Sequence, residues 1–153
     1  MTFEVRKDDL SGDAVQGLLR FHLSQLKVIT PPEHVHALDL SGLTAPGVTA
    51  WTAWDGDTIA GIGALKVLGD GSGEIKSMRT APTHLRRGVA RTLLHHLVAE
   101  ARSRGWRTLH LETGRGPAFE PALALYRGHG FVQGEAFAGY EPGDFSQFFH
   151  LAL

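Results

Sequence analysis

Residues 73–104, GEIKSMRTAPTHLRRGVARTLLHHLVAEARSR, constrain the fold more than any other stretch of the chain. They read as a strand, a short loop rich in Arg and Gly, and a long amphipathic helix. The strand runs from Glu74 to Thr80, and Pro82 ends it because proline has no N–H to give a ladder. The helix begins near Gly88. Val89, Leu93 and Leu97, with Ala90, Leu94 and Ala101, form an apolar stripe at i, i+4, i+8 spacing. The loop from Leu85 to Arg91 therefore lies at a helix N-terminus, where unpaired N–H groups and the positive end of the dipole collect. Gly88 and Ala90 are small, so an anion can approach the backbone, and Arg86, Arg87 and Arg91 flank them. This loop suits a phosphate. It also suits an ordinary β-loop-α unit with solvated arginines, and the loop alone does not separate the two.

The length, 153 residues, suits one domain with a full hydrophobic core, spanning 1–153. No apolar run approaches the ~18–20 residues of a membrane span, and MTFEVRKDDLSGD carries no basic segment followed by an apolar one, so neither a membrane anchor nor a signal peptide is expected. The absence of cysteine removes disulfides, thiolate metal sites and cysteine nucleophiles, and fits a cytoplasmic protein. The net charge of −1 hides an asymmetry: residues 76–107 hold eight of the fifteen Lys and Arg and one acid, Glu100. The positive charge thus surrounds the proposed phosphate loop. Arg102 and Arg104 stand apart from that, because they close the last turn of the helix, where cations favour the dipole.

Elsewhere, Thr2–Lys7 alternates as a first strand. Asp8, Asp9 and Ser11 offer helix-start chemistry for a helix reaching about Ile29, with Val15, Leu18, Leu19, His22 and Leu26 on one face. His22 reads as a satisfied, partly buried histidine. Pro31-Pro32 break the helix, and residues 31–47 form an irregular stretch expected to overhang the site and help select substrate. His34 and His36 fall within it, but spacing supplies no third ligand and no metal is expected. Val48–Trp54 and Thr58–Leu68 flank Asp55-Gly56-Asp57, a hairpin signal, so 48–80 reads as a three-stranded antiparallel meander, with Trp51 and Trp54 in or near the core. Gly105 ends the long helix. Trp106–Thr113 is a strand parallel to 74–80, since a helix joins them in a right-handed crossover. Phe119–His129 is a shorter helix with Pro121 in its first turn, and Phe131–Glu135 and Phe145–Leu153 are final strands around the turn-rich GYEPGD. His95 and His96 read as helix surface.

The order is β-α-loop-β-β-β-α-β-α-β-β. Thr80-Ala81-Pro82 followed by Arg86-Arg87-Gly88-Val89-Ala90 resembles the acyl-CoA pyrophosphate loop of the GNAT superfamily of N-acetyltransferases, Arg/Gln-x-x-Gly-x-Gly/Ala. Ala124-Leu125-Tyr126, then Gly130-Phe131, resembles the later helix motif of that family, and Glu74 lies where some of its branches place a catalytic glutamate. The resemblance covers about residue 48 to the end. Two positions depart from the family pattern: the first Arg/Gln of the loop is Leu85, and the asparagine at the start of the later helix is Phe119. The resemblance implies an α/β fold of mixed α+β sheet type: a central twisted mixed sheet of about seven strands, about four flanking helices, and a splayed parallel pair in the middle.

It further implies an acyltransferase that moves the acetyl group of acetyl-CoA to a primary amine by direct attack, in a small molecule or peptide. The pyrophosphate would meet the N–H groups of Arg87, Gly88, Val89, Ala90 and Arg91, with Arg86 beside them. Main-chain groups of Met78 and Thr80, on either side of Arg79, would pair with the pantetheine arm like an added strand. An alkylamine of pKa near 10.4 is about 99.9% protonated at neutral pH, so a base is needed. Glu74 is the first candidate and Glu112 the second, while Tyr126 is the acid for the leaving thiolate. The plain alternatives are a solvated strand start for Glu74, a structural hydrogen-bonding residue for Glu112 and a packing residue for Tyr126. Two other functions compete. One is a CoA-binding sensor without catalysis. The other is a nucleic-acid binder, which the short arginine cluster without interleaved aromatics disfavours. The acidic excess outside 76–107 leans slightly toward a cationic amine. A homodimer is compatible with the family, and the acceptor is not legible.

Overall fold

The computed structural model describes residues 2–32 and 40–153. The chain runs β1 (Glu4–Asp8), α1 (Asp13–Ile29), α2 (Leu40–Leu43), β2 (Val48–Asp55), β3 (Thr58–Val67), β4 (Ser72–Thr80), α3 (Val89–Ser103), β5 (Thr108–Thr113), α4 (Glu120–Gly128), β6 (Val132–Gly134) and β7 (Gln147–Ala152). The strands form one sheet in the order β1-β2-β3-β4-β5-β7-β6. Only β4 and β5 are parallel; every other neighbouring pair is antiparallel. The expected mixed sheet, meander and central parallel pair are all present.

Local chemistry accounts for most element ends. Thr30 closes α1 in an extended conformation, φ −128°, as a residue before proline must. Gly56, at φ +59°, turns β2 into β3. Pro82 opens a single 3₁₀ turn, Pro82–His84, that leaves β4. Three expectations shift. The first strand begins at Glu4 rather than Thr2. The acids before α1 do not cap it: Gly12 is the N-cap, while Asp8 and Asp9 turn back to accept the N–H groups of Leu10 and Ser11 at 2.7 and 3.0 Å. And β4 begins at Ser72, so Glu74 lies inside a strand instead of at a solvated start. His34 and His36, with the rest of 33–39 in the stretch expected to overhang the site, lie outside the described residues.

The sheet has a core on each face. Val89, Leu93, Leu94, Leu97, Val98 and Ala101 of α3 pack on one face, joined by Leu123 and Tyr126 of α4 and by Leu109, Leu111 and Phe149 of the sheet. Each fully buried leucine stabilises the fold by about 1.5–3 kcal/mol. Val15, Leu18 and Leu19 of α1 cover the other face over Ala50, Ile62 and Ala64. Trp51 is buried and Trp54 half-buried. His96 is less superficial than expected: its ring lies 5.5 Å from that of Trp51 and its Nε2 is buried. Arg104 pairs with Glu100 at 3.1 Å and lies over Trp51 and Trp106, in keeping with a structural role.

The irregularities in β4 position the site. Between Ile62↔Arg79 and Ala64↔Lys76, β4 spends one residue more than β3, a bulge with Ser77 at φ +57°. Pairing of β4 with β5 is confined to Ser72–Glu74 against Thr108–His110. Beyond those residues the two strands part.

Candidate active site

The gap between the parted strands is the mouth of a cleft of about 540 Å³. It reaches both faces of the sheet. On the α3–α4 side its walls include Ala90, Leu93, Leu125 and Tyr126; on the α1 side they include His22, Leu26, Ile29 and Thr30.

At one end the cleft meets the start of α3, through Leu85, Arg86 and Ala90. Gly88 is the N-cap in the left-handed region, φ +85°, and no side chain caps the helix. The first N–H taken inside α3 is that of Thr92, by the Gly88 carbonyl at 3.0 Å. The N–H groups of Gly88, Val89, Ala90 and Arg91 have no protein partner among the described residues, as expected of a first helical turn with nothing to cap it. A Cβ on Gly88 would touch nothing, so the space beside the N-cap is open. Arg86 and Arg91 are exposed beside them. Arg87 instead turns toward Asp55, with Nη2 3.5 Å from Oδ2. His84, buried at the turn after β4, donates through Nε2 to the same Asp55 oxygen at 2.9 Å and meets the Thr83 hydroxyl through Nδ1 at 2.7 Å. The loop is thus moored to the β2–β3 turn, a device that spacing did not reveal. Leu85, at the position that departs from the family loop, is exposed and lines the entrance. A diphosphate fits this end: it would meet unpartnered donors, a helix dipole and exposed arginines, with no side chain in its way.

Deeper in, the register of β4 assigns its side chains to faces. Lys76 stands opposite Ala64 and Arg79 opposite Ile62, both on the α1 side, while Met78 packs with the α3-side core. Glu74 stands beside His110 in the parallel pair, and Glu112, two residues on, shares that face. Glu74 is only 2% exposed. Its Oε2 accepts a hydrogen bond from the Tyr140 hydroxyl at 2.6 Å and lies 3.4 Å from Lys76 Nζ, which itself donates to the Tyr140 oxygen at 2.7 Å. Burial, then the Glu74 carboxylate, pushes the Tyr140 phenol well above its ordinary range, so it stays a donor. Tyr140 comes from the segment between β6 and β7 and is held by Phe137 and Phe148, with ring centroids 5.1 and 5.9 Å away. Lys76 and Tyr140 are functional candidates that sequence reasoning missed.

Tyr126 lies across the sheet from Glu74. It is 7% exposed, lines the cleft, and burial raises its phenol to about 12. It packs edge-on to Phe131 at 5.7 Å, so it is a packing residue as well as a cleft residue. Phe119, at the other departure from the family pattern, lines the cleft against Phe145. His22 is satisfied, as expected, yet it also reaches the cleft: its Nδ1 accepts from Arg79 Nε at 2.9 Å. Burial and the neighbouring guanidinium lower its pKa to about 3, so it is neutral. Arg79, expected with the coenzyme contacts, carries its guanidinium to the α1 face; only its main chain runs with Met78 and Thr80. Among the described residues no group of three or more His, Asp or Glu side chains could hold a metal.

The sheet's central parallel pair thus opens into a cleft beside an uncapped helix start. The acetyltransferase (GNAT) family model matches residues 16–131, and the chain belongs to that family. It is 49% identical over 136 residues to YsnE of Bacillus subtilis, covering 89% of this chain and 90% of that one. It is 47% identical over 151 residues to YedL of Escherichia coli, covering 99% and 95%. Both relatives are described as uncharacterized N-acetyltransferases. The crystal structure of a Bacillus subtilis acetyltransferase in complex with CoA superposes with a TM-score of 0.72 over 99% of both chains at 19% identity, a likeness of fold. The protein is therefore an acyltransferase. Among the described residues no helix is long and apolar enough to cross a membrane.

Proposed function

We propose that this enzyme transfers the acetyl group of acetyl-CoA to a primary amine by direct attack of the amine on the thioester. The observation that carries the proposal is the cleft through the sheet, which runs from the unpartnered N–H groups of Gly88–Arg91 to the buried carboxylate of Glu74. The diphosphate of the coenzyme is held at the start of α3 by these N–H groups and by Arg86 and Arg91. Charge-assisted bonds of this kind are worth roughly 1.5–3 kcal/mol each. The edge of β4 at Met78, Arg79 and Thr80 offers main-chain partners to the extended arm. A structural neighbour with the same fold was solved in complex with CoA, which supports the choice of coenzyme.

The amine arrives from the α1 face. Glu74 takes its proton, directly or through Tyr140, whose hydroxyl already donates to Glu74 and can hand that proton on as it accepts another. Glu112, on the same face, is the second candidate. Tyr126, on the opposite side and protonated at neutral pH, returns a proton to the leaving sulfur. This division puts base and acid on opposite sides of the reacting carbonyl. A cysteine acyl-enzyme is ruled out because the chain has no cysteine. We place the reaction in the cytoplasm, on a monomer or homodimer, with a small molecule or peptide rather than nucleic acid as acceptor.

The test is thiol release from acetyl-CoA over a broad amine panel, for the wild type and for Glu74→Gln and Glu112→Gln. Turnover in the wild type, lost in one of the two variants, identifies the base. CoA binding without thiol release from any amine would replace the enzyme with a CoA sensor.

A further inference from the structure

Resting on that reading of the cleft, we infer that its α1 side is a carboxylate subsite and that the acceptor is an amine that carries a carboxylate, as a free amino acid does. Four charged side chains share this face: Glu74, Lys76, Arg79 and Glu112. Lys76 is engaged by Glu74 and Tyr140. Arg79 has no acidic partner among the described residues. Its one polar partner among the described residues is His22, through Nε, and its guanidinium lies over the Phe21 ring, 5.8 Å from the centroid. His22 is neutral, so it orients the guanidinium without balancing its charge.

A half-buried guanidinium without a counter-ion is costly to keep, and its geometry says what would complete it. With Nε committed to His22, the two terminal amino groups remain as a planar fork, which matches the two oxygens of a carboxylate. A second group points the same way. Thr30 lines the same cleft, is 7% exposed, and its hydroxyl has no hydrogen-bond partner among the described residues. A buried hydroxyl without a partner is rare, and a carboxylate oxygen would satisfy it. The apolar flank is built by Leu26 and Ile29, which would take an aliphatic side chain. The C-terminal end of α1 is thereby explained: its last turn and the pre-proline Thr30 belong to the site.

The coenzyme is the other possible owner of Arg79. Its diphosphate seat is at the start of α3, whereas the Arg79 guanidinium stands on the α1 face, so the two assignments predict different Michaelis constants. The experiment measures thiol release with free L-amino acids and with the corresponding L-amino acid amides, which keep the amine and lose the negative charge. Wild type should use at least one free acid with a kcat/KM about tenfold or more above that of its amide. In Arg79→Gln that ratio should fall toward one with the KM for acetyl-CoA unaltered. Arg79→Lys should retain part of the preference, since it keeps charge without the fork. Thr30→Val removes an unsatisfied buried hydroxyl, so it should keep or raise the melting temperature while raising the KM of the acid. Equal use of acids and amides by the wild type overturns the subsite and leaves the transferase intact. So does a preference that survives in Arg79→Gln, or a higher KM for acetyl-CoA in that variant. Absence of thiol release with every acceptor removes the transferase reading, and the subsite falls with it.

Discussion

Tyr126 and His22 are two side chains whose chemistry is altered by where they sit. Burial alone raises the Tyr126 phenol to about 12, which keeps the proton that the leaving thiolate needs. Tyr126→Phe should therefore lower kcat by about a hundredfold, in the range of general acid–base catalysis, with the KM for acetyl-CoA little changed, as read by thiol release. An unaltered kcat would return Tyr126 to a packing role. His22 is lowered to about 3 while the unfolded chain binds its proton near 6.5. Its contribution to stability is complete above pH 6.5 and is lost as pH falls toward 3, because the unfolded state takes a proton that the native state refuses. The slope reaches about 1.4 kcal/mol per pH unit. Urea melts between pH 4 and 7 should show it, and His22→Gln should flatten it. His110 and His129 are shifted in the same direction, so part of the slope will remain.

The start of α3 can be tested as an element. Gly88 adopts φ +85°, and an added Cβ meets no protein atom. The cost of Gly88→Ala to the fold is thus backbone strain alone, about 1–2 kcal/mol. Its cost to the coenzyme should be larger in kind, because strain at the N-cap disturbs the first turn that presents the N–H groups of Val89–Arg91. We expect the KM for acetyl-CoA to rise severalfold with a drop of a few degrees in melting temperature. If the melting temperature drops and the KM stays put, the diphosphate is held elsewhere. β4 shows a different principle. The odd spacing of Lys76 and Arg79 would place them on opposite faces of a regular strand. The bulge at Ser77 restores them to one face, and the local bend accompanies the parting of β4 from β5.

At the scale of the molecule, the sheet is two antiparallel halves joined by a short parallel seam, Ser72–Glu74 against Thr108–His110, with the α3 crossover beside it. A ligand seated in the gap touches both halves. Saturating CoA, at a hundred times its dissociation constant, should add about 2.7 kcal/mol, and about 5–10 °C to the melting temperature of a chain this long. No shift at that concentration would remove the coenzyme from the cleft.

The amphipathic stripe of α3, the hairpin at Gly56 and the end of α1 before Pro31 were all legible in the chain, because each depends on residues within a few positions of one another. Tyr126 and Glu74 could be nominated through a motif, but whether Glu74 was solvated could not be read, since its burial comes from neighbours far away in the chain. Tyr140 meets Glu74 across 66 residues and Arg79 meets His22 across 57. Neither pair has a local period, and the bulge that turns Arg79 toward α1 leaves no mark in hydrophobic alternation. Local periodicity and turn residues determined the elements. Only the assembled sheet decided which charges share a face, because that depends on register between strands rather than order along one.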